Sequence, residues 1–182
     1  MKLDNFIIFS GGPGSGKTTL INQLKASGFR TKSESGRQIV KESMAAGSDF
    51  FPWKNKQGFA DQLFVAEKQA LDKFKNQKSL IFWDRSIIDT YGYHQMESLR
   101  IPCSLLQICK DTRFNKKVFI FPPWEAIYEN DSERKQSFKE AVRTYETMVD
   151  CYTKFGYDLI EMPLKSVEYR LQFVMDNLQQ TK

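Results

Sequence analysis

Residues 6–19 read FIIFSGGPGSGKTT, and within them Gly11-Gly12-Pro13-Gly14-Ser15-Gly16-Lys17-Thr18 fits the pattern GxxxxGK[ST]. An apolar run precedes the glycines, and Leu20, Ile21 and Leu24 follow at helical spacing, which is the strand, loop and helix context a phosphate loop needs. Consecutive backbone N–H groups must curl around an anion with dihedrals that a Cβ would obstruct, and Gly11, Gly14 and Gly16 supply that freedom. Lys17 is expected to neutralise the β- and γ-phosphates of a bound nucleotide and Thr18 to offer its hydroxyl to Mg²⁺. The helix that starts at Gly16 is expected to turn its N-terminal dipole toward the same anion. The expected cofactor-binding set is Gly11, Gly12, Pro13, Gly14, Ser15, Gly16, Lys17, Thr18 and Thr19. A second run, Leu80-Ile81-Phe82-Trp83-Asp84, is apolar and ends in a carboxylate, which makes Asp84 the expected second holder of Mg²⁺, through water.

The elements that must position these residues are legible in the apolar pattern. Five short strands are expected, at 6–9, 29–33, 79–83, 117–121 and 157–161. Helical patterns begin at Gly16, cover 36–46, 58–75, 87–99, 104–112 and 137–155, and resume after 163–166. Residues 124–136 read as a lid. Strands separated by helices predict a three-layer α/β fold, a five-stranded parallel sheet with helices on both faces and sites at the strands' C-terminal ends. The glycine loop, Glu34, Asp84-Arg85 and a basic segment then all open onto one crevice. No repeat or linker interrupts the pattern, so residues 1–182 are expected to form a single domain.

Composition narrows the class. With 27 Lys and Arg against 22 Asp and Glu, the net charge is +5, compatible with nucleic acid but equally with polyanionic nucleotides. A hydrophobic fraction of 41% and 15 Phe provide for a core and exclude a disordered or fibrous chain. The single His excludes a His-rich metal site. Three cysteines with no CxxC pair fit a reducing, cytoplasmic setting. No apolar run approaches the ~20 residues of a membrane span, and no signal or transit peptide is expected.

The chain resembles the P-loop ATPases of an AAA-labelled group that is similar to nicotinamide riboside kinase and, more distantly, to deoxynucleoside and nucleoside-monophosphate kinases. The resemblance is carried by GGPGSGKT at 11–18, ESGRQIVKE at 34–42, FPW at 51–53, FWDRSIIDTYGY at 82–93, PPWEAIYENDSERKQSF at 122–138 and GYDLIEMP at 156–163. It is not expected to extend to the ring-forming motors, whose second acidic motif is DE where this chain has Asp84-Arg85, and whose extra helical domain is not expected within these 182 residues. The resemblance implies Glu34 as general base toward an acceptor hydroxyl, and Arg85, with Asp84 and Ser86, beside the reacting group. It also implies Arg134, with Lys135, closing from the lid onto the γ-phosphate, and aromatics around the acceptor, drawn from Phe51-Pro52-Trp53, Phe59, Tyr91 and Tyr93. Arg37 could steady a phosphate or Glu34 itself. Each has a plainer alternative: Asp84 or Ser86 capping a helix with a surface Arg85, Glu34 and Arg37 as solvated charges, Arg134 at a charged helix start, and the aromatics as core.

The resemblance implies an ATP- and Mg²⁺-dependent phosphotransferase acting on a small acceptor, plausibly a nucleoside or nucleoside-like molecule. A guanine-reading NKxD loop is missing, since Asn115-Lys116-Lys117 is followed by Val118, and ATP is therefore the expected donor. Two alternatives stay open: a polynucleotide-end kinase, favoured by Glu34-x-x-Arg37 and the positive charge, and a regulatory ATPase without an acceptor. Nucleic acid is thus a possible but not a required partner, and the oligomeric state is left open.

Overall fold

Strand β2, Phe6–Gly11, is buried along its whole length and runs down the middle of the sheet. Such a run suits a strand covered on both faces, because alternate residues must each find an apolar layer. Phe6 and Ile8 point into one layer with Trp83, Ile88, Val118, Leu105 and Tyr152. Ile7 and Phe9 point into the other with Leu20, Leu24, Phe82, Phe119 and Val174. A buried side chain of this size contributes roughly 1.5–3 kcal/mol, so these two layers dominate the stability.

The computed structural model describes residues 1–128 and 137–179. Around β2 the described elements are β1 (Lys2–Leu3), α1 (Lys17–Ala26), β3 (Arg30–Lys32), α2 (Ser35–Ala46), α3 (Lys56–Phe74), β4 (Ile81–Asp84), α4 (Ile87–Met96) and α5 (Cys103–Asp111). They continue with β5 (Arg113–Phe114), β6 (Lys117–Phe121), α6 (Phe138–Lys154), β7 (Asp158–Glu161) and α7 (Val167–Gln179). The main sheet has the order β3-β4-β2-β6-β7 and every pairing in it is parallel. All five expected strands are in it. The strand order reverses at β2, whose register sets Phe9 beside Asp84 on one side and Gly11 beside Phe121 on the other. This switch point is where a crevice opens beyond the carboxyl ends of the strands. A separate two-stranded ribbon, β1 with β5, was not apparent from the pattern because each strand is two residues long.

Two of the helix starts are fixed by reciprocal side-chain caps. Ser86 accepts from the Ile88 N–H while Asp89 Oδ2 accepts from the Ser86 N–H at 2.8 Å, and Ser137 with Glu140 repeats the arrangement at α6. Such a reciprocal cap satisfies two donors that a helix end leaves open. It also sets the direction in which α4 leaves the end of β4. Among the described residues no helix is long and apolar enough to cross a membrane, and the three cysteines are free thiols.

Candidate functional site

The glycine loop joins β2 to α1. Gly12 must be glycine for space, since a Cβ there would lie 2.4 Å from the Ala141 carbonyl oxygen of α6. Gly16 stands at φ 78, a left-handed conformation that glycine adopts at little cost. Lys17 opens α1, and its amine is folded over the loop, donating to Gly12 O at 2.6 Å and to Ser15 Oγ at 3.1 Å. Burial, with repulsion from Arg85, lowers its pKa to about 7. Thr18 and Thr19 lie on the exposed side of the first turn.

Asp84 ends β4 and is 1% exposed, with no hydrogen-bond partner for Oδ1. Burial, reinforced by the Glu34 charge, pushes its carboxyl up to about 6. A buried carboxylate oxygen left unpaired beside a phosphate loop fits a hydrated cation, and Mg²⁺ takes oxygen ligands of this kind. Among the described residues there is no cluster of three or more His, Cys, Asp and Glu, so an ion here would be completed by phosphate and water oxygens.

Arg85 follows in the left-handed region, φ 59, which for a residue with a Cβ costs of order 1–3 kcal/mol. Several bonds hold it there. Its N–H donates to Phe9 O at 2.9 Å, its Nε to Glu34 Oε1 at 2.8 Å and its Nη1 to Asp89 Oδ1 at 3.3 Å. Glu34, at the N-cap of α2, is partly buried, which opposes its ionisation, but Arg85, Lys17 and Arg37 outweigh that and hold its carboxyl below the ordinary range. Ser86 caps α4 as one of the plainer alternatives requires, yet Arg85 is no surface residue: its side chain is 16% exposed.

Two residues that the motif reading missed organise this pair. Asp89 also accepts from Ser10 Oγ at 2.6 Å and Tyr152 OH at 2.6 Å, tying the end of β2 and α6 to the Arg85 turn. Its signal was present as the S-x-x-D spacing from Ser86. Glu67, on α3, is ion-paired with Lys32 and accepts from Ser35 Oγ at 2.6 Å and Trp83 Nε1 at 3.3 Å. Lys32 in turn donates to the carbonyls of Asp84 and Arg85, both at 3.4 Å. This buried pair thus braces both Ser35, next to Glu34, and the strained Arg85 backbone. No local pattern announces a pair 35 residues apart in the chain.

A cavity of about 120 Å³ lies beside these groups. Glu34, Arg37, Arg85 and Asp89 are among its polar lining, whereas Pro13 of the glycine loop, Pro52, Phe59, Leu63, Tyr93 and Met148 are apolar. The expected aromatics are only partly there. Tyr91 does not line the cavity: it is 3% exposed in the core, edge-on to Phe155, and its hydroxyl accepts from Lys154. Tyr93, two residues on and therefore on another helix face, lines it, as does Phe59. Trp53 is 39% exposed and stacks on Phe51, and it is the neighbouring Pro52 that borders the cavity. Of the expected lid, Trp124 to Tyr128 are described, with a short 3₁₀ turn at Glu125–Ile127. Arg134 and Lys135 lie outside the described residues.

A parallel sheet of this order, with a glycine loop and buried lysine at its switch point and an acid at the end of the neighbouring strand, defines a P-loop kinase/ATPase-like catalytic fold, that of phosphoryl-transfer enzymes. A model of the AAA-domain family matches residues 6–170, and the chain belongs to that family. Among solved structures it is similar to a NadR protein in complex with NR, with a TM-score of 0.67 and 16% identity over 96% of this chain and 50% of that one. The chain therefore spans about half the length of that protein. Deoxyadenosine kinase from M. mycoides with bound dATP is similar at a TM-score of 0.54 and 16% identity, over 98% of this chain and 100% of that one. Thymidylate kinase from Ehrlichia chaffeensis is similar at 0.59 and 21% identity, over 97% and 99%. These likenesses are of fold. No protein of curated function matches the sequence.

Proposed function

We propose that the protein is an ATP- and Mg²⁺-dependent kinase that transfers the γ-phosphoryl group to a hydroxyl of a small, nucleoside-like acceptor. The observation that carries this reading is the shared cavity: Glu34 and Arg85 line the same space as Pro13 of the phosphate loop, together with the apolar side chains of Phe59, Leu63, Tyr93 and Met148. A pure switch needs a phosphate loop but no carboxylate and arginine facing a second pocket.

In the proposed reaction the acceptor oxygen forms a bond to Pγ, the bond from Pγ to the β–γ bridging oxygen breaks, and ADP leaves. Glu34, held ionised by Arg85, Lys17 and Arg37, orients the acceptor hydroxyl and receives its proton. Lys17 leaves the Gly12 carbonyl for the phosphates, and Arg85 offers its guanidinium to the transferred group as charge builds there. Thr18 and Asp84 would hold Mg²⁺, which when bound neutralises charge on the β- and γ-phosphates. Arg134 is proposed to close from the lid and exclude water. The apolar walls Phe59, Leu63, Tyr93 and Met148 favour a ring-bearing acceptor over a polynucleotide end.

The deciding experiment measures ADP release with nucleosides, riboside metabolites and oligonucleotides as candidate acceptors. A nucleoside that stimulates release and appears as its monophosphate supports the reading. Stimulation by oligonucleotides alone transfers support to end phosphorylation, and slow turnover that no compound accelerates transfers it to an acceptor-free ATPase.

A further inference from the structure

A side chain distant in sequence lies directly on the phosphate loop. Arg170, in the first turn of α7, is 2% exposed. Its Nη2 donates to the Ser15 carbonyl at 3.1 Å. The guanidinium sits between two rings, 5.0 Å from the Phe121 centroid and 5.6 Å from that of Trp124. A Cβ at position 16 would stand 2.6 Å from its Nη1, so glycine there makes room for the arginine.

The charge is unbalanced. Nε has no hydrogen-bond partner, and among the described residues no carboxylate pairs with the guanidinium. Burial alone accounts for its lowered pKa, about 10. Two stacked rings and one carbonyl give a cation some compensation, but an isolated buried charge remains costly until an anion arrives. The anion that belongs beside Ser15 and Gly16 is the phosphate chain of a nucleotide.

We propose that Arg170 is a positioning residue of the phosphate cradle: by holding the Ser15 carbonyl outward it aims the Gly16 N–H at bound phosphate, and that phosphate offsets its own buried charge. The reason is the planarity of the peptide. The Ser15 carbonyl and the Gly16 N–H belong to one rigid unit and point in opposite directions, so fixing one fixes the other. A hydrogen bond accepted by the carbonyl also polarises the unit and strengthens its N–H as a donor. Trp124 forms the other wall, so the chain entering the 124–136 segment rests on the same guanidinium that sets the loop. The inference rests on nucleotide binding by the loop and is independent of the acceptor.

The test titrates wild type, Arg170→Met and Arg170→Lys with inorganic tripolyphosphate, ATP and adenosine by calorimetry, with thermal unfolding recorded without ligand. Arg170→Met is expected to bind tripolyphosphate and ATP about 10- to 100-fold more weakly, with adenosine unaffected, because a charge-assisted contribution is lost. Its unliganded Tm is expected to equal or exceed that of wild type, since a buried unpaired cation is gone. Arg170→Lys, which keeps the charge but not the flat stack, is expected to fall between the two and carries the test should the methionine variant not fold. Tripolyphosphate affinity within threefold of wild type in the folded variants overturns the inference. So does a loss that is equal for adenosine and accompanied by a lower unliganded Tm, the mark of a packing role alone. Failure of wild type to bind either phosphate ligand would instead remove the nucleotide reading beneath it.

Discussion

Arg85 Nε donates to Glu34 Oε1 at 2.8 Å from a backbone held at φ 59, so the cation and the carboxylate that line the cavity form one ion pair. Each keeps the other charged and aimed into the cavity. An acceptor hydroxyl would enter between groups already oriented, which limits the reorganisation left for the reaction itself.

Replacing either member should therefore act on turnover more than on nucleotide affinity. Glu34→Gln and Arg85→Ala are expected to lower kcat about 10²- to 10⁴-fold, with ATP affinity within a few-fold of wild type. Arg85→Lys should rescue little, because a single ammonium cannot reproduce the bonds from Nε and Nη1 to Glu34 and Asp89. Steady-state kinetics beside equilibrium ATP binding separates the two effects. Weakened ATP binding with unchanged kcat would move the pair out of the chemistry.

Lys17 predicts a proton linkage. Its pKa is about 7 in the unliganded protein, chiefly through burial, and polyphosphate would raise it. ATP binding at about pH 8 should therefore take up part of a proton, and the uptake should fade below about pH 6, where the amine is already charged. Calorimetry in buffers of different ionisation enthalpy reads this directly, and Lys17→Met should abolish both the uptake and most of the affinity. Without ligand, the unfolded chain binds more protons than the folded one between pH about 7 and 10.5, so the lysine's contribution to stability rises with pH across that window.

Asp84 should set an acid limb of activity. With its carboxyl at about 6, protonation competes with a cation just below neutral pH. Mg²⁺-dependent turnover should fall as the pH drops through about 6, and excess Mg²⁺ should move the midpoint lower. Asp84→Asn should raise the Mg²⁺ requirement and lose this limb. A midpoint indifferent to Mg²⁺ would detach Asp84 from the metal.

The Lys32–Glu67 pair should matter asymmetrically. Glu67→Ala leaves a buried lysine without its partner and should cost about 3–5 kcal/mol. Lys32→Met with Glu67→Leu removes both charges and should recover much of that stability. Activity should not recover with it, because the Ser35 and Trp83 contacts to Glu67 and the Lys32 contacts to the Asp84 and Arg85 carbonyls stay lost. Denaturant unfolding and kcat measured on the same variants decide this.

The two tyrosines of α4 make the last comparison. Tyr93→Ala removes a wall of the cavity and should raise the acceptor KM, whereas Tyr91→Phe, on the far side of the helix, should leave it unchanged. An equal effect from both would point to movement of the whole helix.

These two tyrosines mark the physical limit of what a local pattern can place. A helix turns about 100° per residue, so Tyr91 and Tyr93 are equally aromatic in the sequence and opposite in place. Which of them meets the cavity depends on how α4 seats against α3 and α6. The same limit hid Glu67 and Arg170, whose partners lie 35 and 155 residues away. Asp89 was readable, since its capping spacing from Ser86 is local.

Legible along the chain were features governed by near neighbours: the five strands of the main sheet from apolar runs, the phosphate loop from its glycines and Lys17, and the acid at the end of β4. Those features follow from backbone dihedrals and short-range periodicity, and both are set within a few residues. What only the tertiary structure decided was which charges meet: Arg85 with Glu34, Lys32 with Glu67, and Arg170 with the Ser15 carbonyl. Those pairings depend on the order of strands in the sheet and the layer each helix covers, and no local spacing encodes either.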